Sequence, residues 1–104
     1  MNKSRPRHRE AVFNSIDLER DYQALKYKEQ ERTLPQWVMI LQKELGEAAI
    51  EAGFGSDADA LRELLQVAAV AVACLEQHGV VPTANHLDKL VVARHASKSL
   101  ERRD

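Results

Sequence analysis

The chain has 104 residues, 44% hydrophobic and 30% charged, with a formal net charge of −1, a composition that describes one globular domain and excludes a disordered polyelectrolyte. Its longest apolar run, residues 67–75, is nine residues, whereas crossing a bilayer takes about 20. A single cysteine, Cys74, cannot form an internal disulfide and lies inside that apolar run, where cysteine behaves as a small hydrophobe rather than a nucleophile.

The N-terminal segment carries Lys3, Arg5, Arg7 and Arg9 with no apolar stretch behind them, so it lacks the form of a secretory signal and a cytoplasmic protein is expected. Residues 1–12 read as a basic, flexible leader, residues 13–96 as a helical domain and residues 97–104 as a charged tail. Asn14 or Ser15 is the expected cap of a first helix reaching about residue 32, with Leu18, Tyr22 and Leu25 at helical spacing. Thr33-Leu34-Pro35-Gln36 has the form of a capping box and opens a second helix. Its apolar stripe of Leu34, Val38, Leu41, Leu45, Ala48 and Ala52 runs to Gly53.

Gly53-Phe54-Gly55-Ser56 reads as a tight turn, after which Ser56 or Asp57 caps a third helix ending at His78 and Gly79. From residue 61 to 75 this third helix is apolar around almost its whole circumference, a pattern that demands burial on all sides. Three short neighbours in one subunit cannot supply that burial, so a homo-oligomer is expected. Pro82 and Thr83 open a last amphipathic helix with Leu87, Leu90 and Val91 on one side. No strand pattern competes, and the fold class is all-α: a four-helix bundle with a central antiparallel helix hairpin.

Charge is distributed unevenly. Residues 34–78 hold seven acids against Lys43 and Arg62, a local balance of −5. At about 100° per residue, Glu44, Glu47 and Glu51 share one edge of the second helix, and Asp59, Glu63 and Gln66 one edge of the third. An antiparallel hairpin centred on Gly55 sets Glu44 beside Gln66, Glu47 beside Glu63 and Glu51 toward Asp59. Carboxylates gathered in an apolar groove repel one another unless they are protonated or bridged by a cation. Oxygen ligands alone favour Mg²⁺ or Mn²⁺. Glu44, Glu47 and Glu63 are therefore the candidate metal ligands. No glutamate of the three has the histidine three residues on that a di-iron bundle requires, and His8, His78, His86 and His95 share no ligand spacing.

Glu44-Leu45-Gly46-Glu47 followed by Glu63-Leu64-Leu65-Gln66 resembles the E-x-x-E, then E-x-x-D, signature of MazG-like nucleoside triphosphate pyrophosphohydrolases, over about residues 16–76. The resemblance implies a MazG-like helical bundle, dimeric or tetrameric, that hydrolyses a (deoxy)nucleoside triphosphate to the monophosphate and pyrophosphate with Mg²⁺. It also implies that Glu44, Glu47 and Glu63 are catalytic, with one of them the general base. The resemblance also implies Gln66 as a fourth metal ligand through a neutral amide oxygen, where the pattern has aspartate. Gln23 and Trp37 are expected to meet the base, and Lys26, Lys28, Lys89 and Arg94 are candidates for phosphate contacts. Asn85 and Lys89 resemble an asparagine and a lysine that follow the third helix in relatives. The alternatives are a catalytically weakened member that binds nucleotide or metal, and a helical oligomerisation module. Nucleic acid is an unlikely partner for so mild a net charge, and no membrane partner is expected.

Overall fold

The computed structural model describes residues 5–28, 30–80 and 84–102. These form four helices and no strand among the described residues: α1 (Arg5–Tyr27), α2 (Leu34–Phe54), α3 (Asp57–His78) and α4 (Ala84–Arg102). None is long and apolar enough to cross a membrane.

The hairpin at the centre forms for local reasons. Thr33 accepts from the Gln36 N–H through its hydroxyl, while Gln36 Oε1 accepts from the Thr33 N–H (2.9 Å), completing the reciprocal capping box. Pro35 lies in the first turn of α2, where a missing N–H leaves no helix bond unmade. The helix runs through Gly53 to Phe54 and ends at Gly55, whose N–H donates to the Glu51 carbonyl (2.9 Å). Ser56 then caps α3 by accepting from the Asp59 N–H (3.1 Å). Gly79, at φ 85°, stops α3 in the left-handed region that favours glycine.

Two sequence expectations for α1 need correction. It begins at Arg5 rather than after Asn14 or Ser15, and the Ser15 hydroxyl instead donates to the Ala11 carbonyl inside the helix (2.8 Å). It also stops at Tyr27, five residues early, because Lys28 turns into the left-handed region at φ 55°. Lys28, Gln30, Glu31 and Arg32 are all good helix formers. Tertiary bonds overrule that preference: Gln77 Oε1 accepts from the Arg32 N–H (3.0 Å), Gln77 Nε2 donates to the Gln30 carbonyl (2.7 Å), and the His78 ring nitrogen Nε2 lies 2.8 Å from the Arg32 carbonyl. A carbonyl only accepts, so His78 carries its proton on Nε2. The end of α3 thereby ties down the link between α1 and α2.

Both α1 and α2 pack on α3, whereas α1 and α2 do not pack on each other and α4 packs on no helix among the described residues. The core is accordingly slim: Trp37, Val70, Ala73 and Cys74, with Ile40 and Leu41 against them. Much of the apolar circumference of α3 stays open in the single chain, with Leu61 65% and Leu75 49% exposed, and Leu18 and Ile50 on the flanking helices are also open.

Capping should be measurable on its own. Thr33→Ala removes one half of the box and should lower the unfolding free energy by about 1 kcal/mol. Urea denaturation would read this as a lower midpoint at unchanged slope, and an unmoved midpoint would mean that the cap contributes nothing.

Candidate metal centre and cleft

The hairpin brings three glutamates together. Glu44 and Glu47 lie one turn apart on α2, Glu63 comes across from α3, and each offers a carboxylate oxygen within 4.8 Å of the others. All three are half-buried. Glu63 Oε2 is shielded from solvent and has no hydrogen-bond partner, a costly state for a carboxylate oxygen. Burial first, then the neighbouring Glu47 and Glu63 carboxylates, raise the Glu44 carboxyl above its usual range, while Lys43 pulls it the other way. An oxygen-only donor set with one orphaned buried oxygen fits what a hard divalent cation accepts, and these three residues are the ones that could hold it.

The acids nearer the turn do not join. Asp59 pairs with Arg62 on its own helix, and the Glu51 side chain folds back over Gly55, where an added Cβ would collide with it. Neither Glu51 nor Asp59 belongs to the group of converging carboxylates.

Beside the triad opens a cleft of about 510 Å³. It exists because α1 and α2 both lean on α3 without touching each other, and α3 is left as its floor. Gln66, Val70, Ala73 and Gln77 line that floor at intervals of four, three and four residues, one straight stripe about 16 Å long at ~1.5 Å per residue. Glu44 borders both the triad and the cleft, so the carboxylates sit at the Gln66 end. Lysine and arginine flank the walls: Lys26 from α1, Lys28 and Arg32 from the link, and Lys43 from α2. Arg20 also lines the cleft and is bridged to Glu76 of α3.

The sequence-derived site residues distribute themselves unequally. Gln23, Lys26, Trp37, Glu44 and Gln66 all line the cleft, and Gln23 Nε2 donates a long bond to the Gln66 carbonyl (3.4 Å). Lys26 stands 5.6 Å from the centre of the Tyr22 ring. Trp37 is 6% exposed and belongs to the core as well as to the cleft. Its indole N–H donates to Gln77 Oε1 (2.9 Å), and the Arg32 guanidinium lies over its ring, 5.1 Å from the ring centre. Lys89 and Arg94 sit exposed on α4, which packs on no other helix among the described residues, and neither lines the cleft. Asn85 is on α4 too, but its side chain lies outside the described residues.

Arg32, Lys43 and Gln77 were not expected as site residues. For Gln77 a signal was available, because it continues the 66-70-73 stripe by one more turn. Arg32 had none, since its place depends on the link ending α1 early.

The raised Glu44 carboxyl has a consequence for stability. The folded chain holds the Glu44 proton more tightly than the unfolded chain does, so the stabilisation it contributes is complete below the ordinary carboxylate range and is lost as pH rises through the raised folded value. In metal-free buffer Glu44→Gln should therefore be more stable than wild type at pH 7, and the two should converge below about pH 4. Chemical unfolding with a chelator present at both pH values tests this; an identical difference at the two would exclude ionisation of the partly buried Glu44 carboxyl as its source.

Comparison with protein-family models, curated proteins and solved structures gives no match to this chain.

Proposed function

We propose that the protein is a MazG-like, Mg²⁺-dependent nucleoside triphosphate pyrophosphohydrolase that works in the cytoplasm, cleaving a (deoxy)nucleoside triphosphate to the monophosphate and pyrophosphate. The observation that carries this reading is the meeting of three carboxylates, one with an orphaned buried oxygen, at one end of a cleft whose walls carry Lys26, Lys28, Arg32 and Lys43. The resemblance of the Glu44-Glu47 and Glu63-Gln66 pairs to the family signature supplies the reaction.

When bound, Mg²⁺ supplies charge neutralisation and Lewis acidity at the phosphates. Glu44, Glu47 and Glu63 hold it, with the Gln66 amide oxygen as a neutral fourth donor beside Glu44. One glutamate takes a proton from the attacking water as general base. Lys26 and Lys43, on opposite walls, draw the triphosphate into the cleft and orient it, so most of the acceleration comes from positioning and electrostatics. Mn²⁺ substitutes on the same ligand chemistry.

Incubating the purified protein with a panel of nucleoside triphosphates and Mg²⁺ or Mn²⁺ should release pyrophosphate, and Glu47→Gln should slow release by about 100-fold or more. No pyrophosphate from any substrate, or an unaffected Glu47→Gln, would remove the enzyme reading; nucleotide binding without turnover would leave the weakened binding protein. In the same assay Gln66→Asp should reach half-maximal rate at lower Mg²⁺, and an unchanged requirement would mean that Gln66 is not a ligand.

The working form is a homodimer or homotetramer. Its support is the open apolar surface of α3 and its neighbours, together with an amphipathic α4 that packs on no helix among the described residues. Light scattering behind size exclusion should give a mass at least twice the 11.7 kDa of one chain, and a monomer at micromolar concentration would overturn this assembly.

A further inference from the structure

The end of the cleft remote from the glutamates is built by one side chain. Gln77 spends its whole amide there: Oε1 accepts from the Trp37 indole N–H (2.9 Å) and the Arg32 backbone N–H (3.0 Å), and Nε2 donates to the Gln30 carbonyl (2.7 Å). His78 holds the Arg32 carbonyl (2.8 Å), so the Arg32 backbone is fixed at both its N–H and its carbonyl. The half-buried Arg32 side chain then covers the Trp37 ring. Trp37 is only 6% exposed, so little of its indole is open to a ligand, and the Arg32 guanidinium that lies over that ring also lines the cleft. Guanidinium planes stack on nucleobases as well as on aromatic side chains.

We propose that Arg32 is the group on which the base of a bound nucleotide stacks, and that Gln77 is a positioning residue that holds it there by pinning both Arg32 and the indole beneath it. The inference rests on the nucleotide reading above and orients the ligand: base on Arg32 over Trp37, phosphates toward Lys43 and the glutamates. The apolar middle of the floor, Val70 and Ala73, lies between these ends.

The test is binding rather than turnover, so it is separable from the hydrolysis assay. Calorimetry with Mg²⁺ and the α,β-imido analogues of the four deoxynucleoside triphosphates is compared with calorimetry using inorganic tripolyphosphate, which has phosphates and no base. Trp37 is the only tryptophan, so its fluorescence reports on this end of the cleft alone. Nucleotide should change that emission in wild type and tripolyphosphate should not. Arg32→Ala and Arg32→Lys should each weaken the tightest nucleotide analogue by roughly tenfold while leaving tripolyphosphate within about twofold for the lysine variant, which keeps the charge but not the plane. Gln77→Leu should weaken the nucleotide similarly, and Gln77→Glu, which keeps both acceptor bonds but sets a carboxylate oxygen against the Gln30 carbonyl, should recover only part of the loss. Should Gln77→Leu fail to give a helical circular-dichroism spectrum, the Arg32 pair decides alone. Equal losses for nucleotide and tripolyphosphate in Arg32→Lys, or a wild-type protein that binds no nucleotide analogue, would overturn the proposal. Absence of pyrophosphate release with these binding results intact would overturn only the hydrolysis reading.

Discussion

Two helices joined by a turn of two residues have little freedom in how they meet. Gly55 and Ser56 are all that separates Phe54, the last residue of α2, from Asp57, the first of α3. The backbone bond from Gly55 back to Glu51 and the Ser56 cap on Asp59 fix where each helix ends and begins. Every later feature inherits that register. A slip of one residue would turn Glu63 by about 100° around α3, away from Glu44 and Glu47, and would break the stripe of Gln66, Val70, Ala73 and Gln77 as the floor of the cleft.

The hairpin alone is a ridge without a cavity. The cleft arises because α1 rests on α3 and stands apart from α2, and what sets its distance is the short irregular link that Gln77 and His78 hold against the end of α3. A helix continuing to residue 32, as local propensity favours, would leave too little chain to turn back into Thr33. The left-handed Lys28 is the local cost of that arrangement, of order 1 kcal/mol for a side chain with a Cβ, offset by the bonds that the link gains to Gln77 and His78.

The electrostatics of the triad run against folding. Half-buried carboxylates at close range raise the proton affinity of Glu44 and leave Glu63 Oε2 without a donor, whereas a fold selected for stability alone would place these acids in water. Such local frustration is expected where side chains are arranged for a ligand rather than for the fold. The slim core makes the tension more pointed, since Trp37, Val70, Ala73 and Cys74 leave a small reserve of buried apolar surface to set against it.

How much of this was legible beforehand follows the range of the interactions. The capping box at Thr33, the Gly55-Ser56 turn, the stop at Gly79 and the all-helical class rest on contacts within about four residues of each other in sequence, and the sequence by itself determined them. The meeting of Glu44, Glu47 and Glu63 was also legible, because a tight antiparallel hairpin turns sequence positions into spatial pairs by simple symmetry. Nearer the turn, Asp59 bonds Arg62 on its own helix and Glu51 folds back over Gly55, outside the group of three. The early end of α1 and the place of Arg32 over Trp37 were decided by tertiary structure alone. Each depends on bonds between residues some 40 or more positions apart, and such bonds leave no periodic trace because neither partner needs a special residue nearby. Local physics settles how α2 and α3 pair; α1 and the link that follows it, held by long-range hydrogen bonds, settle that there is a cleft beside them.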